Sequence, residues 1–172
     1  MNTLDAVCSR YSCRAYTDTP VSEEVLKDIV AAGSLAAIGK GQTGNLFITV
    51  IRDKALLKLL DEAGQKMAGN PGYHAFYNAP VLVSVAMKGD DSLGKENCAA
   101  IVENMMLAAA DMGVDSVYLH SPCRFLDNDA ELFKKLGAPE GFVPGAFVAL
   151  GYAAKERPAG RELKSRVETL WL

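Results

Sequence analysis

Short, continuously apolar segments alternate along the chain with segments whose apolar positions recur at helical spacing. The apolar segments are rich in β-branched residues, which favours buried strands. They span Leu46–Ile51, 80–87, 114–119 and 142–150. Because strands that are apolar at consecutive positions are buried on both faces, the pattern predicts one sheet covered by helices on both sides.

Two N-terminal helices are predicted from their boundary signals. Thr3 is the expected N-cap of a short helix over 3–7, and Ser22 is the expected N-cap of a longer one that runs into the small residues 31–37. In each case a side-chain hydroxyl can accept a hydrogen bond from a backbone N–H that the first helical turn leaves unpaired.

Three further helices are predicted over 53–68, 96–112 and 129–136, with a loop over 90–94 before the second of them. The helix over 96–112 is apolar around most of its circumference, which indicates burial in a core or in a subunit interface. The helix over 53–68 is amphipathic. Its predicted buried face consists of Ala55, Leu56, Leu59, Leu60 and Ala63.

Composition narrows the class of protein. The chain has 172 residues, 49% of them apolar and 23% charged, which fits a single globular domain and excludes a disordered or fibrous protein. A net charge of −3 argues against nucleic acid or an anionic membrane as a partner. No apolar run has the length of a membrane span, and the first residues lack a signal-peptide core, so we expect a cytoplasmic protein. The four cysteines have no zinc-ligand spacing, so no metal site is expected.

A glycine-rich segment over 39–44 matches the pattern G-x-G-x-x-G of dinucleotide-binding loops. That motif requires a strand before it and a helix after it, whereas here a helix precedes it and a strand follows. Two interpretations stay open. The segment is either a flexible connection or a loop whose backbone lies close to a flat ligand, an approach that glycine permits.

A basic segment over 10–14 contains two arginines four residues apart and a serine between them. Guanidinium and hydroxyl donors in this grouping suit a phosphate monoester, although a solvated basic turn gives the same pattern. A second basic group lies near the C-terminus at Arg157, Arg161, Lys164 and Arg166, either as a solvated linker or as further cations for the same phosphate. His74 is expected to pack in the fold, and a Cys–His nucleophile has no motif to support it.

Taken in order, these segments resemble the nitroreductase family of FMN-dependent oxidoreductases. The resembling segments are the R-x-S-x-R start at 10–14, the alanine- and proline-led strand at 79–83, the long helix at 97–109, the turn at 113–116 and the strand end at 149–152. The resemblance implies a single α+β domain over 1–172 with a mostly antiparallel central sheet flanked by helices. It also implies an intertwined homodimer, with the apolar C-terminal tail packed on the partner subunit.

Site residues follow from the same resemblance, one position at a time. Arg10, Tyr11, Ser12 and Arg14 lie in the motif that contacts the FMN phosphate and ribityl chain, and Arg161 or Lys164 corresponds to a C-terminal cation on the phosphate. In the loop, Gln42 is kept, but the family's asparagine, proline and tryptophan are replaced by Gly41, Gly44 and Asn45. A backbone contact or Lys40 is the expected substitute. His120 and Ser121 correspond to the residues whose backbone amides meet flavin N5.

The implied activity is electron transfer from NAD(P)H through the flavin to a small acceptor such as a nitroaromatic or a quinone, in a ping-pong mechanism. No catalytic side chain is expected, because the flavin carries the chemistry. Two alternatives stay open. One is a flavin-binding protein of the same fold without general reductase turnover, suggested by the altered loop, and the other is an interaction domain without a cofactor.

Overall fold

A computed structural model describes residues 1–89 and 91–172, and these contain six α-helices and four strands. The helices are α1 (Thr3–Ser9), α2 (Glu23–Ser34), α3 (Lys54–Ala68), α4 (Ser92–Asp111), α5 (Ser121–Leu126) and α6 (Ala130–Lys134). The strands are β1 (Leu46–Ile51), β2 (Val81–Lys88), β3 (Asp115–Leu119) and β4 (Phe142–Gly151). All four predicted strands are therefore present, with bounds that differ from the predictions by one residue at most.

The strands form one antiparallel sheet in the order β1-β2-β4-β3. The register pairs Thr49 with Ser84, Ser84 with Phe147, and Phe147 with Leu119. The two longest strands therefore lie in the centre, and β1 and β3 lie at the edges. Together with the flanking helices, this sheet confirms the predicted α+β fold.

The sheet separates two hydrophobic layers. Residues of β2 alternate between them: Leu82 and Ala86 pack with α3, α5 and α6, whereas Val81, Val83 and Val85 pack with α2 and α4. This two-sided burial explains why β2 is apolar at consecutive positions. It confirms the prediction of a sheet covered on both faces.

Several local predictions were wrong. Asn2, not Thr3, caps α1: its side chain accepts from the Asp5 N–H (2.9 Å), and Thr3 is the first helical residue. Ser22 caps α2 as predicted, with its hydroxyl accepting from Val25 N–H at 3.3 Å. The helix predicted from 96 begins at Ser92, because the Asp91 side chain caps it. The predicted loop over 90–94 is thus helical at its end, and Asp90 lies outside the described residues.

The buried face of α3 also differs from the prediction. Ala55 and Leu59 are exposed, while Leu57 and Gly64 are buried beside Leu60. A Cβ at Gly64 would lie 2.8 Å from the Ala75 Cβ, so the helix packs tightly against Ala75 at this position. Strand β1 is half-buried rather than buried, because it is an edge strand. Helix α5 was not predicted, since its sequence contains a proline near the start and follows a strand directly.

Candidate functional site

The basic segment over 10–14 is neither helical nor a free turn. Helix α1 ends at Ser9, and Arg10 has extended backbone angles (φ −56°, ψ 130°). Ser12 then forms a parallel bridge with Ser116 of β3, and the Cys13 N–H donates to the Ser116 carbonyl at 2.9 Å. The segment therefore lies along the start of β3, at an edge of the sheet.

A cleft of about 260 Å³ lies beside this segment. One wall comes from the end of α1 and the residues after it, and the other comes from the C-terminal tail. The lining residues are Cys8, Ser9, Arg10, Tyr11, Ser12, Pro158, Ala159 and Arg161. The fold thus joins Arg10, Tyr11 and Ser12 with Arg161, four of the predicted site residues.

Arg10 and Ser12 supply donors that the protein itself uses little. Arg10 makes one ion pair, 3.4 Å from its Nε to Oε1 of the half-exposed Glu103. The Ser12 hydroxyl makes no hydrogen bond with any other residue in 1–89 or 91–172. Both groups are therefore able to turn to a ligand in the cleft.

Arg161 closes the cleft from the other side and also caps α1. Its backbone N–H donates to the Cys8 carbonyl (2.9 Å), and its Nη2 donates to the carbonyls of Val7 (2.6 Å) and Arg10 (2.7 Å). A helix C-terminus leaves such acceptors unpaired and carries partial negative charge, so a cation is favourable there. Within the described part of the chain, the Arg161 Nη1 group has no acceptor, which leaves its two N–H donors for a ligand.

Two guanidinium groups and a hydroxyl around one cleft supply the kinds of donor that a small oxyanion accepts from. Charge-assisted hydrogen bonds from arginine are shorter and stronger than neutral ones, and a phosphate monoester offers several oxygens to accept them. Burial, followed by smaller contributions from Cys13 and Asp115, raises the pKa of Tyr11 above its ordinary value. Tyr11 therefore stays protonated and adds no negative charge beside the anion.

Two predicted phosphate contacts are not part of this cleft. Arg14 is exposed and does not line it, and it makes no hydrogen bond or ion pair with other described residues. Lys164 pairs with Glu162 (2.7 Å) and lies outside the cleft. Of the two C-terminal cations that the resemblance allowed, Arg161 is the one that lines the cleft.

The glycine-rich loop is separate from the cleft and packs on α4, the helix that carries Glu103. It forms two short 3-10 turns, Gly39–Gly41 and Thr43–Asn45, and its start is tied to α4 by a hydrogen bond from Gly39 N–H to the Asn97 side chain (2.8 Å). Lys40 is exposed and adopts a left-handed conformation (φ 59°). The Gln42 side chain accepts a hydrogen bond from Asn45 (3.1 Å).

The loop and the cleft beside Arg10 are both next to α4. The loop is hydrogen-bonded to Asn97 of this helix, and Arg10 forms an ion pair with its Glu103. Six residues of helix correspond to about 9 Å along its axis. Six positions also turn a side chain by about 240° around the axis, so Asn97 and Glu103 lie on different faces of α4, and no residue of the loop lines the cleft beside Arg10.

His120 and Ser121 lie at the opposite end of β3 from Ser12. His120 is exposed and directly precedes α5, and the Ser121 hydroxyl donates to the Ala75 carbonyl at 3.4 Å. Neither residue lines the cleft. These two positions therefore mark a third region, near the loop that contains Ala75.

The expectation that His74 only packs in the fold was incomplete. Its Nδ1 lies 2.7 Å from Oδ2 of Asp61 on α3, and the other oxygen of Asp61 accepts from the Ala75 N–H at 3.2 Å. This carboxylate thus holds the loop that contacts Ser121.

Burial raises the pKa of Cys98 and of Cys123 to about 12, so neither thiol is a thiolate nucleophile at neutral pH.

A larger cleft of about 630 Å³ lies elsewhere, between the start of α3 and the residues before β2. Arg52, Lys54 and Lys58 contribute cations to it, and Leu57 and Phe76 contribute apolar surface. None of the residues predicted from sequence lines this cleft. Volume alone therefore does not identify the site that the sequence motifs indicate.

Sequence analysis did not connect Asp115 with Arg157. Asp115 is buried at the start of β3, and its Oδ1 lies 2.9 Å from Nε of Arg157, whose position in the tail was noted only as part of a basic group. No local pattern relates two residues this far apart in sequence. An aspartate at the start of an apolar strand was the only available signal.

Among the described residues, no helix is both long and apolar enough to cross a membrane, and no three His, Cys, Asp or Glu side chains are placed to hold a metal ion.

Comparisons with known proteins all indicate the same family. Residues 7–152 match the model of the nitroreductase family. The chain is 32% identical over 164 residues to an Archaeoglobus fulgidus protein that is named, as a provisional assignment, NADH dehydrogenase/NAD(P)H nitroreductase, and the match covers 90% of this chain and 87% of that protein.

Solved structures share the fold over nearly the whole chain. A nitroreductase from Desulfitobacterium hafniense DCB-2, solved with bound FMN, superposes with a TM-score of 0.89 at 24% identity and covers 100% of this chain and 99% of its own. A nitroreductase from Bacteroides fragilis NCTC 9343, also solved with bound FMN, gives a TM-score of 0.82 at 27% identity and covers 98% and 100%.

Proposed function

The chain belongs to the nitroreductase family, and from that premise we propose that it is an FMN-dependent oxidoreductase that transfers electrons from NAD(P)H to a small acceptor. The single observation that carries this proposal is the cleft where Arg10, Ser12 and Arg161 converge. Its donors suit a phosphate monoester, and FMN ends in one. The FMN-bound relatives named above support the same choice of cofactor.

The residues fit the phosphate end of this cofactor. Arg10 provides a guanidinium engaged only with a half-exposed glutamate, Ser12 a hydroxyl without a protein partner in the described chain, and Arg161 a free Nη1 group. Arg14 does not line the cleft, but it is exposed two residues after Ser12, and we propose it as a further cation for the phosphate. Arginine is suited to this role because its planar fork binds phosphate oxygens in pairs.

For the flavin body, we propose contacts from the loop with Lys40 and Gln42 and from the backbone at His120 and Ser121. Lys40 is exposed at the loop surface, where a cation can stabilise negative charge on a bound ring. The Gln42–Asn45 hydrogen bond holds the shape of the loop without the family's asparagine, proline and tryptophan. Backbone amide contacts require no particular side chain, so the substitutions at these positions are compatible with binding.

Bound FMN would supply the redox chemistry between NAD(P)H and the acceptor, and we expect ping-pong kinetics. The protein binds and orients the partners and excludes competing reactions. In the described chain, no titratable side chain is required to act as an acid or base. Nitroaromatics and quinones are the proposed acceptor class.

We also propose a homodimer in which the C-terminal tail packs on the partner subunit. Leu170, Trp171 and Leu172 are exposed in the isolated chain, and the Trp171 side chain is 89% exposed. Such an apolar end is costly in water unless it is covered. Because the chain has one tryptophan, its fluorescence emission reports on this contact. A blue-shifted emission that moves to the red on dilution, together with a dimeric mass by light scattering, is the expected result.

The experiment that tests the cofactor is an FMN titration of the apo protein, followed by desalting and a visible absorption spectrum. NAD(P)H oxidation is then measured with a quinone and with a nitroaromatic. Arg10→Ala is expected to raise the FMN dissociation constant about 10- to 100-fold, since a charge-assisted hydrogen bond contributes roughly 1.5–3 kcal/mol. Arg52→Ala, an exposed arginine in the other cleft, is the matched control and is expected to leave binding unchanged.

The outcomes separate the alternatives. Retained flavin with turnover supports the oxidoreductase. Retained flavin without turnover by either acceptor favours a flavin-binding protein that lacks general reductase activity. A protein that stays colourless after incubation with FMN would overturn the proposal and favour an interaction domain without a cofactor.

A further inference from the structure

The C-terminal tail is held to the protein by hydrogen bonds rather than by packing. Every residue from 154 to 172 is exposed, so the tail has no apolar anchor in the isolated chain. Its path is nevertheless defined up to Arg161. The Ala154 N–H donates to the Ala15 carbonyl (2.9 Å), and the Arg161 N–H donates to the Cys8 carbonyl (2.9 Å). The chain between these two points forms one wall of the cleft that contains Arg10 and Ser12.

Asp115 is the acceptor that fixes the start of this path. The residue is 5% exposed, and its Oδ2 accepts from the Ala153 N–H at 2.8 Å. The two carboxylate oxygens also engage the guanidinium of Arg157, at 2.9 Å from Nε to Oδ1 and 3.2 Å from Nη2 to Oδ2. Nη2 of Arg157 donates in addition to the Gly113 carbonyl at 2.5 Å. Asp115 therefore receives two hydrogen bonds from the tail, and its ion pair with Nε completes a two-point fork with the guanidinium of Arg157.

Arg157 precedes the cleft wall directly. Only residues 158–160 lie between it and Arg161, and two of them, Pro158 and Ala159, line the cleft. Proline restricts the backbone of this short connection, so the position of Arg157 limits where Arg161 can be. A shift of Arg157 would move the guanidinium of Arg161 away from the Val7 and Arg10 carbonyls.

We propose that Asp115 is a positioning residue for the phosphate cleft: through Arg157 it holds residues 158–161 against α1, so that Arg161 faces Arg10 and Ser12. Asp115 does not line the cleft. It lines an adjoining, smaller cavity that shares Ser9, Arg10 and Tyr11 with the cleft, and we assign its effect to the tail rather than to contact with the ligand. The ligand part of the inference rests on the proposed function, since FMN is the probe for the cleft. The positioning part does not depend on FMN.

Asp115→Asn is the most specific perturbation, because it keeps the shape of the side chain and removes its charge. Asparagine has one acceptor oxygen in place of two, and its amide N–H groups would face the N–H groups of Arg157. The Ala153 contact can survive, but the fork cannot. Arg157→Lys breaks the same fork from the exposed side while it keeps the positive charge, and it serves where Asp115→Asn does not fold.

The test has two readouts. Hydrogen–deuterium exchange of the peptide over 153–162, measured on the ligand-free protein, reports whether the tail stays in place. FMN titration of the same proteins reports the affinity of the cleft. We expect Asp115→Asn to speed exchange at the Arg161 amide at least tenfold and to raise the FMN dissociation constant about tenfold. Lys155→Ala, an exposed lysine in the same segment, is the matched control and is expected to change neither.

A double-mutant cycle with Arg161→Ala decides how Asp115 acts. If Asp115 works by placing Arg161, the double variant binds FMN no more weakly than Arg161→Ala alone. Fully additive losses, or unchanged exchange at the Arg161 amide in Asp115→Asn, would overturn the inference. If the parent protein binds no FMN, the proposed function fails, while the exchange experiment still decides whether Asp115 positions the tail.

Discussion

Replacement of Gly145 by alanine tests how α4 packs on the centre of the sheet. Gly145 lies on β4 at an irregularity, where Val85 pairs with Ala146 but Ala86 pairs with Pro144, so Gly145 is the extra residue of a bulge. A Cβ there would lie 2.4 Å from the Cys98 Sγ and 2.8 Å from the Val85 carbonyl oxygen. Because Val85 belongs to a central strand, its carbonyl cannot move away easily.

The size of the effect follows from these distances. Ordinary contacts of a Cβ begin at about 3.4 Å, so α4 and its Cys98 would have to retreat by about 1 Å. Overpacking of this kind costs roughly 1–3 kcal/mol, and the backbone contact places Gly145→Ala near the upper end. For a domain of this length, a loss of about 3 kcal/mol lowers the melting temperature by roughly 6–12 °C. Because α4 contacts both the glycine-rich loop and Arg10, FMN binding should weaken as well.

The assay is urea unfolding followed by far-UV circular dichroism. Cys98→Ala removes the sulfur but leaves the contact with the Val85 oxygen, so combining it with Gly145→Ala should restore about half of the lost stability. The matched control is Gly44→Ala, where the added Cβ meets no atom within 4 Å, and its stability should stay within about 0.5 kcal/mol of the parent. A Gly145→Ala protein as stable as the parent, or a double variant with simply additive losses, would refute this packing.

Three further predictions concern the cations and the thiols. Arg14→Ala should weaken FMN binding about 10- to 100-fold, as expected for loss of a charge-assisted contact, while Arg166→Ala in the exposed tail should not; equal affinities in a titration would remove Arg14 from the site. Burial raises the pKa of Cys98 and Cys123 from 9.0 to about 12, so the unfolded chain loses these protons first. The free energy of unfolding should therefore hold below pH 9 and fall between pH 9 and about 12, and Cys98→Ala should reduce that fall in urea titrations. Cys8 is the half-exposed cysteine, so Ellman's reagent should label one thiol in the native protein at pH 8 and the buried ones only after unfolding; rapid labelling of all four would contradict the burial.

The sequence by itself determined the strands and the two-sided core. The run over 81–87 is the clearest case: it is apolar at nearly every position, and a strand can bury both of its faces only between two layers. The spacing of Arg10 and Ser12 suited phosphate binding, but a solvated basic turn gives the same pattern, so the sequence alone left both interpretations open. The cap of α2 was local, since Ser22 accepts from the backbone N–H of Val25, three residues away.

Only the tertiary structure decided which of these residues meet. Arg161 is separated from Arg10 by most of the chain, and Lys164 was an equal candidate until the path of the tail placed one at the cleft and the other outside it. The Asp115–Arg157 pair has the same origin. Such contacts depend on strand order, on register and on where the chain leaves the sheet, and these are set by the packing of all the layers at once rather than by any local pattern.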